Sequence, residues 1–160
     1  RLSAQGEALF PRREGEMLAE LASFLLESEH PELVEEFFIA RTDDKRALLA
    51  GRMKNLGASD RLNEIARSLS QDGFLAEAAF ESGEPIGLRL CHCPLRDLIA
   101  VTHLPCRAEM RLVEALLGRP LVRTQFMPDG DTSCTYALAA APSRQRKPAS
   151  AVGRIRPVTT

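Results

Sequence analysis

Sulfur is the chemistry this sequence offers. Its four cysteines, Cys91, Cys93, Cys106 and Cys134, are too few and too unevenly spaced for a secreted disulfide scaffold. In a reducing compartment such thiols bind metal, act as nucleophiles or fill space in a core. The spacing Cys93-x12-Cys106-x27-Cys134 bears on which metal. Structural zinc takes paired knuckles with about two to four residues between ligands, and the close-set Cys91-His92-Cys93 has no second pair to work with. Iron–sulfur clusters accept dispersed thiolates, and Cys93 precedes Pro94 as ligand cysteines precede proline in ferredoxin runs. Left without metal, the same thiols make a disulfide switch. Three histidines, one tyrosine and no tryptophan supply little for acid–base work. With no Gly-rich phosphate loop and no nucleophile elbow, the chain reads as a non-enzyme.

The elements that must position these thiols follow from periodicity. Met17, Leu18, Leu21, Phe24 and Leu25 recur at helical spacing over 14–27, ending near Ser28. After Pro31 a second helical stretch carries Leu33, Val34, Phe37, Phe38, Leu48, Leu49 and Met53, with a break expected near Thr42-Asp43-Asp44. Ser59 or Asp60 is expected to cap a third helix, whose inward set is Leu62, Ile65, Ala66 and Leu69 and which stops at Gly73. The pattern then shifts to extended runs, 74–80 and 86–91, around Glu81-Ser82-Gly83-Glu84, which predicts a hairpin. A short helix after Pro94 and a longer one from Pro105 to Leu117 precede two more strands, 121–126 and 134–139, joined by a tight reversal at Asp129-Gly130. The expected class is therefore α+β, N-terminal helices followed by a small mixed domain with two β-hairpins and intervening helices. Cys93, Cys106 and Cys134 all fall at element ends, where a thiol is partly accessible; at Cys106 a helix N-terminus would favour the thiolate.

At 160 residues, with 44% apolar and 27% charged side chains, the chain suits one core. It has no apolar run of membrane-spanning length and no signal-peptide layout, so no membrane association and a cytoplasmic location are expected. The formal charge of −1 hides an asymmetry. Residues 141–160 hold Arg144, Arg146, Lys147, Arg154 and Arg156; without these five, 16 basic residues face 22 acidic ones, a formal −6 for the body. Such a body repels a phosphate backbone, and the proline-bearing basic tail is expected to be disordered.

Particular residues carry a family resemblance. Cys93-Pro94-Leu95, the run Leu121-Val122-Arg123-Thr124-Gln125 and the stretch Gly130-Asp131-Thr132-Ser133-Cys134-Thr135-Tyr136 resemble the C-terminal sensor part of SufR-type regulators, winged-helix repressors that hold an iron–sulfur cluster. That family spaces four cysteines; Cys93, Cys106 and Cys134 match the first, second and last, and Pro120 stands where the third would fall. The Gly-Asp-x-x-Cys piece also looks like the hairpin of vinyl-reductase-type ligand-binding domains. Residues 2–11, Leu-Ser-Ala-Gln-Gly-Glu-Ala-Leu-Phe-Pro, are similar to the exit from a winged-helix wing. The resemblance implies an effector domain of a transcriptional regulator that senses cluster status, with Cys93, Cys106 and Cys134 as metal ligands to a 4Fe-4S cluster in preference to 2Fe-2S. It also implies a homodimer, with the 14–27 and 31–53 helices as candidate contact faces, and DNA binding by an upstream winged helix. Three thiolates leave one iron corner open, for which Cys91, sharing a strand face with Cys93, and His103, three residues before Cys106, are the possible fourth ligands. The implied organisation is a winged-helix exit at 1–13, a helical linker and dimerisation region at 14–72, a cysteine-bearing sensor domain at 73–140 and the tail at 141–160. Two alternatives stay open: the metal-free thiol switch, and a small-molecule pocket lined by the hairpins with Phe74, Phe80 and Phe126.

Overall fold

The computed structural model describes residues 13–139. The expected winged-helix exit at 2–11 and the expected disordered tail at 141–160 lie outside them.

Helical periodicity gives way to strand at Gly73, as the sequence predicts. Helices α1 (Glu14–Glu27), α2 (Glu32–Met53) and α3 (Ala58–Gln71) precede the hairpin β1 (Ala76–Glu81) and β2 (Glu84–Leu90). Helices α4 (Arg96–Val101) and α5 (Leu104–Leu117) separate it from β3 (Leu121–Gln125) and β4 (Cys134–Leu138). The fold is α+β.

Local chemistry explains where the elements depart from expectation. The break expected near Thr42 is absent, and α2 runs unbroken. Thr42 Oγ1 donates back to the carbonyls of Phe38 at 2.9 Å and Ile39 at 3.0 Å, so its hydroxyl is spent inside the helix instead of capping a new one. Buried Phe38 before it and buried Leu49 and Met53 after it anchor both halves. Neither Ser59 nor Asp60 caps α3; Gly57 does, without a side-chain bond. Ser59 donates instead to the Gly83 carbonyl at 3.1 Å, tying α3 to the β1–β2 turn. That turn has positive φ at both central residues, Ser82 and Gly83, the geometry that matches strand twist. The tight reversal expected at Asp129-Gly130 is a longer connection, containing a 3-10 turn over Met127–Asp129. It is closed by the Asp131 carboxylate, which accepts the Phe126 N–H at 2.7 Å.

The two hairpins share one antiparallel sheet in the order β1-β2-β4-β3. The joint is β2 against β4, where Leu88 faces Tyr136 and Leu90 faces Cys134. Gly87 permits it, because a Cβ there would strike the Tyr136 carbonyl. One face of the sheet packs on α3, α5 and the end of α2 in a core that includes Leu49, Leu62, Ile65, Leu69, Leu88, Val113 and Tyr136. A smaller core of Ala22, Val34, Phe38, Leu98, Leu104 and Ala108 joins α1, α2, α4 and α5. Facing outward from α1 and α2 are Met17, Leu21, Phe24 and Phe37, exposed by 69%, 53%, 70% and 57%. No helix among the described residues is long and apolar enough to cross a membrane.

Candidate functional site

Three elements deliver the three spaced cysteines to one place. Cys93 lies just beyond β2, in a segment seated by Pro94 against Gly73. Gly73 has φ +92°, a conformation that favours glycine, and a Cβ there would crowd Pro94 at 3.3 Å, so the end of α3 and the Cys93 loop lie close together at this residue. Cys106 lies in the first turn of α5, after Pro105. Cys134 opens β4, opposite the last residue of β2, and its Sγ accepts the Met127 N–H at 3.4 Å. Cys93, Cys106 and Cys134 line a single cavity of about 40 Å³ between the sheet and α5. The rest of its wall is almost wholly apolar, including Phe74, Leu88, Leu90, Met110, Met127 and Tyr136, with one carboxylate, Glu109.

Burial governs the thiols. Cys93 and Cys134 are buried, and Cys106 is partly so. The expected thiolate-favouring pull of the α5 N-terminus at Cys106 is outweighed. Desolvation, helped by the neighbouring Cys93, pushes its pKa from 9.0 to about 11. Desolvation also raises Cys93, with Cys134 adding to the shift and Arg96 opposing it. Tyr136 is raised by burial, again with Cys134 and Cys106 contributing. Cys93 and Cys106 therefore hold their protons more tightly than free thiols do.

The two further candidates stand outside this cavity. Cys91 is partly buried, and its N–H donates to the Leu75 carbonyl at 3.2 Å, continuing the hairpin pairing past the end of β2. His103 precedes α5 and packs edge-on against Phe126, with ring centroids 5.2 Å apart. The Arg123 guanidinium covers the same ring at 3.9 Å. Of the aromatics expected to line a pocket, Phe74 does so, whereas Phe126 is buried outside the lining and Phe80, at a register shift in β1, is 39% exposed.

Sequence spacing missed Glu109. It follows Cys106 by one helical turn and falls in the apolar stripe with Val113 and Leu116, so an acid on an inward face was the available signal. Its Oε2 is buried with no hydrogen-bond partner among the described residues. The nearest cation, Lys45 Nζ, stands 3.6 Å away and is hydrogen-bonded to Asp72. Desolvation raises the Glu109 pKa, with Lys45 and Arg41 opposing the shift and Asp72 reinforcing it.

No three His, Cys, Asp or Glu side chains among the described residues are grouped to hold a single metal ion. A cluster of several irons asks for a different spacing, because its ligands are distributed over the irons. Comparisons with protein-family models, with curated proteins and with solved structures find no match to this chain.

Proposed function

We propose that the chain is the sensor part of a transcriptional regulator that binds an iron–sulfur cluster through Cys93, Cys106 and Cys134 and thereby controls DNA binding by a winged helix of the same polypeptide. The observation that carries this proposal is the convergence of three sulfurs, far apart in sequence, on one apolar cavity. The donor set fits such a group, since it is thiol-rich, water-poor and walled by apolar side chains. The cavity in the described structure has room for only a few waters. Met110 and Met127, unbranched and adaptable, are the lining side chains best able to give way to a larger occupant.

A bound 4Fe-4S or 2Fe-2S cluster would supply an oxidant-labile crosslink between the three sulfurs. The residues do the rest. Cys93, Cys106 and Cys134 lose their protons on ligation, and Leu88, Leu90 and Phe74 exclude water from the sulfurs. Because each cysteine belongs to a different element, tethering the sulfurs fixes α5 against the sheet. Helix α5 is linked to α2 by Lys45–Glu109 and Arg111–Glu35, and α2 packs on α1, which leads back toward the N-terminus. A coupling of about 1–3 kcal/mol along this path is enough to change operator affinity several-fold to a hundredfold. The exposed α1–α2 face is the proposed contact with a second copy.

Anaerobic purification of the full-length protein tests the site directly. The expected product is brown, contains iron and acid-labile sulfide, and loses both in Cys93→Ser. Colourless, iron-free protein from every anaerobic preparation overturns the proposal. The metal-free thiol switch draws less support, because a thiol with pKa about 11 has roughly a hundredfold fewer thiolates at neutral pH than one at 9.0.

A further inference from the structure

Of the cations that form ion pairs among the described residues, only Lys45 is mostly buried. Its Nζ, from the middle of α2, is hydrogen-bonded to Asp72 and stands 3.6 Å from Glu109 Oε2, so one ammonium is shared by two carboxylates from two other elements. Arg41, one turn earlier on α2, adds to the positive field at Glu109. Replacing a buried charged triad with neutral side chains of similar shape ordinarily costs a fold little, so stability alone does not account for it. A shared ammonium does fix geometry, because it satisfies both carboxylates only while the elements carrying them keep one separation. Those elements are the ones that position Cys93 and Cys106. Asp72 ends α3 and precedes Gly73, which packs against Pro94. The next two carbonyls, of Phe74 and Leu75, accept the N–H groups of His92 at 3.0 Å and Cys91 at 3.2 Å, so the Asp72 segment is clamped to the loop that holds Cys93. Glu109 lies one turn beyond Cys106 on α5.

We infer that Lys45 is a positioning residue that sets the separation between the Cys93 loop and the Cys106 turn of α5, an inference that takes its purpose from the cluster reading above. Lys45 does not line the cavity and acts through Asp72 and Glu109. Because it belongs to α2, a change in the separation of those two sulfurs reaches α2 directly.

The test reads that separation with a probe that needs no iron. Phenylarsine oxide, which bridges two neighbouring thiols, is titrated into metal-free full-length protein carrying Cys91→Ser and Cys134→Ser, which keeps Cys93 and Cys106 of the four. Native Lys45 is compared with Lys45→Met, Lys45→Arg and the neutral triple variant Lys45→Met, Asp72→Asn, Glu109→Gln. Lys45→Met leaves two carboxylates unpaired and should melt below the wild type, whereas the triple variant, with no charge left in the triad, should melt close to it. Arsenical affinity should nonetheless fall in both by at least about tenfold, the lower end of what an outer-shell change costs a bound metal, and should return in Lys45→Arg. With all four cysteines present, iron release to a chelator after anaerobic reconstitution should follow the same order. Native arsenical affinity in the triple variant overturns the inference, as does an affinity that merely tracks melting temperature across the four proteins. A wild type that takes up no iron overturns the cluster reading instead, and the arsenical titration still decides the role of Lys45.

Discussion

At the scale of single residues, the site is a set of acids kept protonated by burial. Cys106 is raised from 9.0 to about 11, and Cys93 and Tyr136 are also raised. A group that binds its proton more tightly in the folded state contributes its full stability below the unfolded pKa and loses it as pH rises. The metal-free protein should accordingly be stable up to about pH 9 and weaken between about pH 9 and 11, by about 1 kcal/mol from Cys106 after allowance for its partial exposure. Denaturation midpoints measured across that range check this; a midpoint unchanged or rising there contradicts it. The cysteines that meet were legible from spacing and from their positions at element ends. Glu109 was not, because its buried setting beside Lys45 from α2 and Asp72 at the end of α3 comes from tertiary packing that no local pattern encodes.

Single elements were mostly readable. The stripe Leu62, Ile65, Ala66 and Leu69 and the stop at Gly73 define α3 from sequence, and all four side chains are buried. Thr42, Ser59 and Asp129-Gly130 misled because each polar side chain or turn signal has competing local partners, and tertiary contacts decide among them. Gly73 shows the opposite case, in which the local demand for positive φ and the close contact with Pro94 coincide. Gly73→Ala is expected to destabilise by about 1 kcal/mol or more and to shift the Cys93 loop. Thermal melts measure the first effect and cluster occupancy of the full-length protein the second. Wild-type stability and occupancy in the variant would contradict both.

At the scale of the molecule, the pairing of β2 with β4 was the least legible feature, since it joins two hairpins whose local signals are complete without it. The exposed apolar stripe is the other large-scale feature. Met17, Leu21 and Phe24 follow one face of α1, which carries four glutamates and no basic residue, and Phe37 on α2 is followed one turn later by exposed Arg41. A twofold pairing that sets α1 on α2 of a second copy would bury this stripe. The wild type should therefore sediment as a dimer at about 50 μM, and Leu21→Glu with Phe24→Glu as a folded monomer. A wild-type monomer at that concentration removes the second copy as the occupant of this face.

The sheet order places the strand made last between two made earlier. A ribosome that has released the chain only as far as β3 holds two of the three matched sulfurs and an unjoined first hairpin, with nothing to bridge it to the second. The cavity is not complete until β4 enters the gap, so a cluster bound as proposed could be gripped by all three sulfurs only once the chain through Cys134 has been made. A chain ending anywhere before Cys134 is then expected to lack the cavity altogether, and with it the proposed cluster site, rather than to keep a weaker version of either.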